Sequence, residues 1–512
     1  MRTRCTLIVA TAVLLAAAGP VAAATFDVST VAEFQAALTT AQSNGEDDTI
    51  NVYSGTYDLT AGLTYVAAAG ENYALSIVGP SPHVTSLRAV ASGFRLLQIL
   101  TATAGTDTAA QVSITGLSFR GGGDGGLWVV TESAGIHLDQ VLAERCAAAE
   151  GGGALLGSAS GAIVVERSVF ENNEASDRGA GLWLGTNSSQ VVIVNTILAY
   201  NFASGSTGVG GGMYLQVDAP TPTNLVLTNN TIVANTAGMQ GGGLYYDAQG
   251  SPWLEISNTI VRGNTANLGG NDGNDLWLET NGTPVDLIHD NLGDRIDPWS
   301  GQSPDLVVTD VTWFWHTGLM SREPRLDRRY RLMEGSPCID TGDAMVSQLP
   351  LEDLERQPRN LDAAPDIGAD EFFLSTLTVS DEVQLRDALI NASANGVADI
   401  IRIEPGVYSI GSPLVYSAAY DESYPLILQP AGSGPVVLDG GGSEQVLILQ
   451  TNTAAAWGWP DIVVGDVHVT GGSGSLGGAV EAYSWHADLV FDRCTFTGNV
   501  AGGMAGFGGA LM

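Results

Sequence analysis

The chain has 512 residues, of which 65 are Gly and 20 are Pro; 45% are hydrophobic, only 15% are charged, and the formal net charge is −35. This composition excludes a disordered or a mainly helical protein and fits a β-rich chain with many turns. The charge excludes nucleic acid and anionic lipid headgroups as partners, and leaves cations and neutral glycans.

Residues 1–24 read as an export signal: Arg2 and Arg4 precede an apolar stretch from Leu7 to Ala18, and Ala22, Ala23 and Ala24 offer a small-residue cleavage site. Its removal leaves 18 basic against 55 acidic residues, a net charge of −37. No later apolar run is long enough to span a bilayer, so the expected destination is outside the cytoplasm, secreted or on the cell surface. Three cysteines follow the signal (Cys146, Cys338 and Cys494), too few and too scattered for a disulfide framework.

After the signal, "TVAEFQAALTTAQSNG" (30–45) predicts a short amphipathic helix with Thr30 and Glu33 as a capping box, followed by the strand pair "DTINVYSGTYDL" (48–59). A repeat then sets in. "RSVFENN" (167–173), "NTILAYN" (195–201), "NNTIVAN" (229–235) and "NTIVRGN" (258–264) each run a short strand into an Asn, at intervals of 28, 34 and 29 residues. Gly-rich second strands follow: "GGGALLG" (151–157), "GAGLWLG" (179–185), "GGGMYLQ" (210–216), "GGGLYYD" (241–247) and "GNDLWLE" (273–279). The pattern is that of a parallel β-solenoid, in which each strand pairs with its counterpart one turn later. Asn173, Asn201, Asn235, Asn264 and Asn499 are expected to form a structural ladder, tolerating left-handed backbone at the turn and bonding between coils.

Residues 325–371 lose this period and gain Arg, Asp and Pro, which suggests a segment closing the first solenoid, 25–324. At "DEVQLRDALINASANG" (381–396) and "DIIRIEPGVYSI" (399–410) the opening helix and strand pair return, so a second solenoid is expected over 374–512. It stops at "GGALM" (508–512), the strand that occupies 152–156 in the first, and is therefore expected to be incomplete and to self-associate through an open C-terminal edge.

Period two along "GLWLG" puts Trp183 outward, and the same register places Trp128, Leu155, Tyr214, Tyr245 and Trp277 beside it in successive coils. At roughly 4.8 Å per coil this column would be on the order of 24 Å long, suited to stacking against sugar rings or to bracing neighbouring coils. Glu171, Glu174, Asp177 and Arg178 crowd one turn, where paired carboxylates could hold a cation or serve as acid and base in glycoside cleavage. "GGNDGNDLW" (269–277) resembles a Ca²⁺-binding nonapeptide with Asp272 and Asp275 as ligands, although only one copy is present. The six histidines show no ligand spacing, and no cofactor is expected apart from Ca²⁺ as the one ion such turns could hold.

"FENN" (170–173), "FTGN" (496–499) and the "GGAL" or "GGAV" segments at 152, 477 and 508 resemble the repeats of polymorphic outer membrane proteins. "YRLMEGSPCIDTGD" with "DIGADE" resembles the end of the choice-of-anchor (Q-type) β-helix family. Both likenesses imply a right-handed parallel β-helix of the pectate-lyase-like class, here as two tandem copies opened by capping helices, at a cell surface or outer membrane. They imply an adhesin-like protein that meets a polysaccharide or a host or cell-surface glycan. The alternative is a polysaccharide lyase or glycoside hydrolase on the same fold.

Overall fold

A computed structural model describes residues 23–502, apart from 188–189, 267–273, 294–305, 310–312, 360–363, 420–421, 423, 452–460, 476 and 485–486. The proposed signal up to residue 22, Asp272 and the expected open edge at 503–512 lie outside the described residues.

From residue 23 to 317 the chain winds into coils whose strands pair in parallel from one coil to the next, forming an 18-stranded, a 9-stranded and a small 5-stranded sheet. One coil shows the route: Leu127–Thr131 and Ile136–Asp139 belong to the large sheet, Leu142–Glu144 to the nine-stranded sheet and Ala147–Glu150 to the small one. Ala154–Ser158 then pairs with Leu127–Thr131 and starts the next coil. Alternation decides the core. Leu127, Ala154, Leu182, Met213, Leu244 and Leu276 stack inward in register, all fully buried. The glycine before five of these six strands has a steric reason; before Leu276 the position is held by Asp275. A Cβ on Gly181 would stand 2.8 Å from Asn201 Nδ2, and one on Gly212 would stand 2.9 Å from Asn235 Nδ2.

A second set of sheets, five-, four-, three- and two-stranded, begins at Leu374–Val379, and among the described residues it shares no strand with the first. Each set is opened by an eleven-residue helix, Val31–Ala41 and Glu382–Ala392. The first carries the Thr30–Glu33 capping box; the second is capped by Asp381, whose side chain accepts from Gln384 N.

Residues 325–371 do not close the end of the first stack as the sequence suggests. They run along its flank, over the nine-stranded sheet. Leu332, Cys338, Leu354, Ile367 and Ala369 bury against Ile197, Ala199, Val233 and Ile260. Corner residues of successive coils hold this strap by its backbone: Asn195 donates to Glu352 O, Asn229 to Asp366 O and Asn258 to Asp343 O. Buried Arg359 pairs with Glu371 at 3.1 Å and donates to Asn195 Oδ1 at 2.7 Å.

Candidate functional site

The Asn ladder is continuous and one-directional. Asn173 N and Nδ2 both donate to Asn201 Oδ1, Asn201 in the same way to Asn235, Asn235 to Asn264, and Asn264 to Asp275 Oδ1, all at 2.8–3.0 Å. Asp275 stands in the glycine column that contains Gly243 and turns its carboxylate back to close the ladder. The left-handed backbone belongs to the residue before each ladder Asn: Asn172, Tyr200, Ala234, Gly263 and Gly498 all have positive φ. The expectation that the ladder Asn itself adopts it is thus corrected by one position. The reason is that an amide aimed inward bonds the coils above and below, while its predecessor turns the corner. In the second stack Asn499 accepts from Gly472 N and donates to Val469 O.

The residues 171–178 are divided among three surroundings. Glu171 lies under the strap, where it accepts from the Tyr330 hydroxyl, and burial followed by the Glu144 charge holds its carboxyl above the usual range. Glu174 is exposed on the small sheet. Asp177 and Arg178 turn towards the aromatic column: Arg178 is 3.5 Å from Asp177, 3.9 Å from Glu150, and its guanidinium lies 5.3 Å from the Tyr214 ring centre.

That column is an ordered stack running across successive coils. Trp183, Tyr214, Tyr245 and Trp277 stack in successive coils with centroid separations of 6.4, 5.4 and 6.5 Å and interplanar angles of 16°, 16° and 11°. Trp128 stands apart beyond Leu155, with the Arg95 guanidinium 4.1 Å from its ring centre. Although their register is outward, Tyr214 and Tyr245 are only 3% and 8% exposed, packed with Val209 and Met239. Their flat faces are occupied by one another. Tyr214 donates to Asp247 at 2.8 Å and Trp277 Nε1 donates to Glu279 at 3.1 Å. Burial, reinforced by these carboxylates, keeps both tyrosines protonated. Asp247 and Glu279 were missed in the sequence, although each stands two residues after a column aromatic and so on the same side of its strand.

Over residues 103–287 the chain matches the family model described as a right handed beta helix region. Together with the parallel registers, this decides the architecture. The fold is a right-handed parallel β-helix. No curated protein matches the chain. Among solved structures the β-helix is similar to the PL6 family alginate lyase AlyGC, at 13% identity over 92% of this chain and 76% of that one, with a TM-score of 0.28. It is also similar to the pectate lyase Pel9A, at 14% identity over 66% of this chain and 90% of that one, with a TM-score of 0.29. Superpositions this loose carry no argument about activity. No helix among the described residues of the β-helix is long and apolar enough to cross a membrane.

Proposed function

We propose that this is an exported, adhesin-like β-helix protein, secreted or held at the cell surface, that binds a neutral glycan without cleaving it. Its units would be a signal over 1–24, a first solenoid over 25–324, a strap over 325–371 and a second solenoid over 374–512. One observation carries the binding reading: a rigid column, Trp183–Tyr214–Tyr245–Trp277, edged by the acceptors Asp247 and Glu279. Carboxylates held by aromatic donors are well placed to accept sugar hydroxyls, and the acidic surface disfavours uronate chains. The binding reading is favoured over catalysis because Glu171 bonds Tyr330 under the strap, whereas Arg178 meets Asp177 and Glu150 beside the column.

Affinity electrophoresis of the purified protein in neutral polysaccharides, alginate and pectate, each with and without Ca²⁺, tests this reading. Retardation by a neutral glycan, weakened roughly tenfold in Asp247→Asn and Glu279→Gln as a lost charged hydrogen bond predicts, supports it. Depolymerisation of alginate or pectate that disappears in Arg178→Ala would overturn it in favour of a lyase.

A further inference from the structure

Three carboxylates of the strap, Asp353, Glu355 and Asp370, bring one oxygen each within 4.8 Å of one another. Two oxygens on opposite sides of a Ca²⁺ ion are separated by about 4.6–5.2 Å, twice the usual metal–oxygen distance. The cluster therefore fits one coordination sphere. Its geometry is fixed by the backbone: Asp353 accepts from Glu355 N and Gln357 N through Oδ1 and from Glu371 N through Oδ2, and Asp370 Oδ2 accepts from Leu332 N. The opposite oxygens have no such use. Asp370 Oδ1 and Glu355 Oε2 are buried without a hydrogen-bond partner, and Asp370 is only 2% exposed.

A third unsatisfied oxygen comes from the second stack. Tyr424 is 8% exposed and its hydroxyl has no partner; the charges of Glu355, Asp370 and Asp353 act on it, opposed by that of Arg331. The cationic neighbours are Arg331, which is paired with Asp327 at 2.9 Å and lies 4.4 Å from the Tyr424 ring centre, Arg329, and Arg359, which acts on Asp353 and is paired with Glu371 at 3.1 Å. Five carboxylates (Asp327, Asp353, Glu355, Asp370 and Glu371) against these three guanidiniums leave a formal charge of −2 around a mostly buried cluster. Buried charge of that size requires a counter-charge or protons.

We propose that Asp353, Glu355 and Asp370, with the Tyr424 hydroxyl, form a divalent cation site that locks the strap to the second stack. All the donors are hard oxygens and none is His or Cys, which selects Ca²⁺ over Zn²⁺. The site is independent of the aromatic column and of whatever glycan that column meets.

The test uses the full chain. Terbium replaces Ca²⁺, and its emission is sensitised by a tyrosine in contact with it. Wild type is expected to show saturable terbium emission excited through tyrosine and displaced by Ca²⁺, and a melting temperature roughly 5 °C higher in excess Ca²⁺ than in chelator. Asp370→Asn and Glu355→Gln should each lose most of both signals, and Tyr424→Phe should lose the emission while it keeps part of the thermal shift. The proposal is overturned if melting is indifferent to Ca²⁺ and both amide variants are more stable than wild type, since protons would then hold the cluster. Terbium emission that survives Asp370→Asn unchanged would also overturn it, because the ion would sit elsewhere on the acidic surface.

Discussion

Around the first opening helix the Tyr57 hydroxyl donates to the carbonyls of Val28 and Tyr53, Asn44 donates to Asp48, and Gly45 N donates to Glu71. Around the second, Tyr408 donates to Val379 and Glu404, Asn395 to Asp399, and Gly396 N to Glu422. The same bonds recur at the same spacing, yet two residues beyond each glutamate the surroundings part. Tyr73 remains partly exposed, whereas Tyr424 is buried against the strap under Arg331. Local sequence thus builds both starts alike, and what each start becomes depends on whether residues 325–371 lie in front of it. The coils differ as well. The first stack has a buried four-Asn ladder closed by Asp275, while Asn499 in the second is partly buried and makes two bonds among the described residues.

The strongest way to break this comparison is at the ladder. Asn235→Ala strands the amide groups of Asn201 and the carbonyl of Leu198 in a fully buried place, and should destabilise the first stack by about 3–5 kcal/mol in urea titration. Asn499→Ala should cost about 1 kcal/mol, confined to the second stack; equal losses would show that the two ladders are equivalent after all. Next in size is Arg359→Met, which removes the buried ion pair with Glu371 and the bonds that tie the strap to Asn195. A loss of about 3 kcal/mol is expected, with protease cutting within 325–371 while residues 25–317 resist.

Tyr57→Phe and Tyr408→Phe sharpen the comparison in the other direction. Each hydroxyl bridges two carbonyls of its own opening coil, so each variant should lose about 1 kcal/mol, and unequal values would separate the two starts. The smallest effect is electrostatic and belongs to the first stack alone. His137 Nε2 meets Glu166 at 2.7 Å, which raises the histidine pKa and lowers that of the glutamate. The stability from His137 is complete below its ordinary value of 6.5 and is lost as pH rises through its raised folded value. The contribution of Glu166 is present above 4.5 and is lost as pH falls through its lowered one. His137→Asn should therefore flatten the alkaline side of the pH–stability curve by less than about 1 kcal/mol.

How much of this could be read from the sequence follows from range. The opening helices, the outward register of Trp183 and the 28- to 34-residue spacing rest on neighbours in sequence or on period-two alternation, and both are visible in a string of letters. A second internal ladder was equally visible but unread: Ser168, Thr196, Asn230 and Thr259 each stand five residues before a ladder Asn, and Thr196 N, Asn230 N and Thr259 N donate to Asn230, Thr259 and Asp290. The path of the strap was not legible, because its partners Asn195, Asn229 and Asn258 lie 85 to 157 residues away with no period connecting them. Register gave the column its direction but not its burial, which arises only when Val209 and Met239 from other turns fold over it. For the cluster Asp353, Glu355 and Asp370, "LEDLE" and "DIGADE" look like two ordinary acidic turns until the chain folds them together.

The Asp at the end of the ladder gives the protein a rule for changing length. An Asn both receives and passes on a hydrogen bond, so any whole coil carrying one can be inserted or deleted between Asn173 and Asn264 and the chain of donors stays intact. A carboxylate receives but has nothing to pass on; Asp275 takes the bond from Asn264 and, on its other oxygen, one from Gly293 N. The second ladder runs to Asp290, whose Oδ1 accepts from Thr259 N. Moving this pair of aspartates one coil earlier or later, with the glycine column adjusted to match, should set where the Asn-bearing coils give way to the next part of the chain, much as a stop codon sets where a reading frame ends.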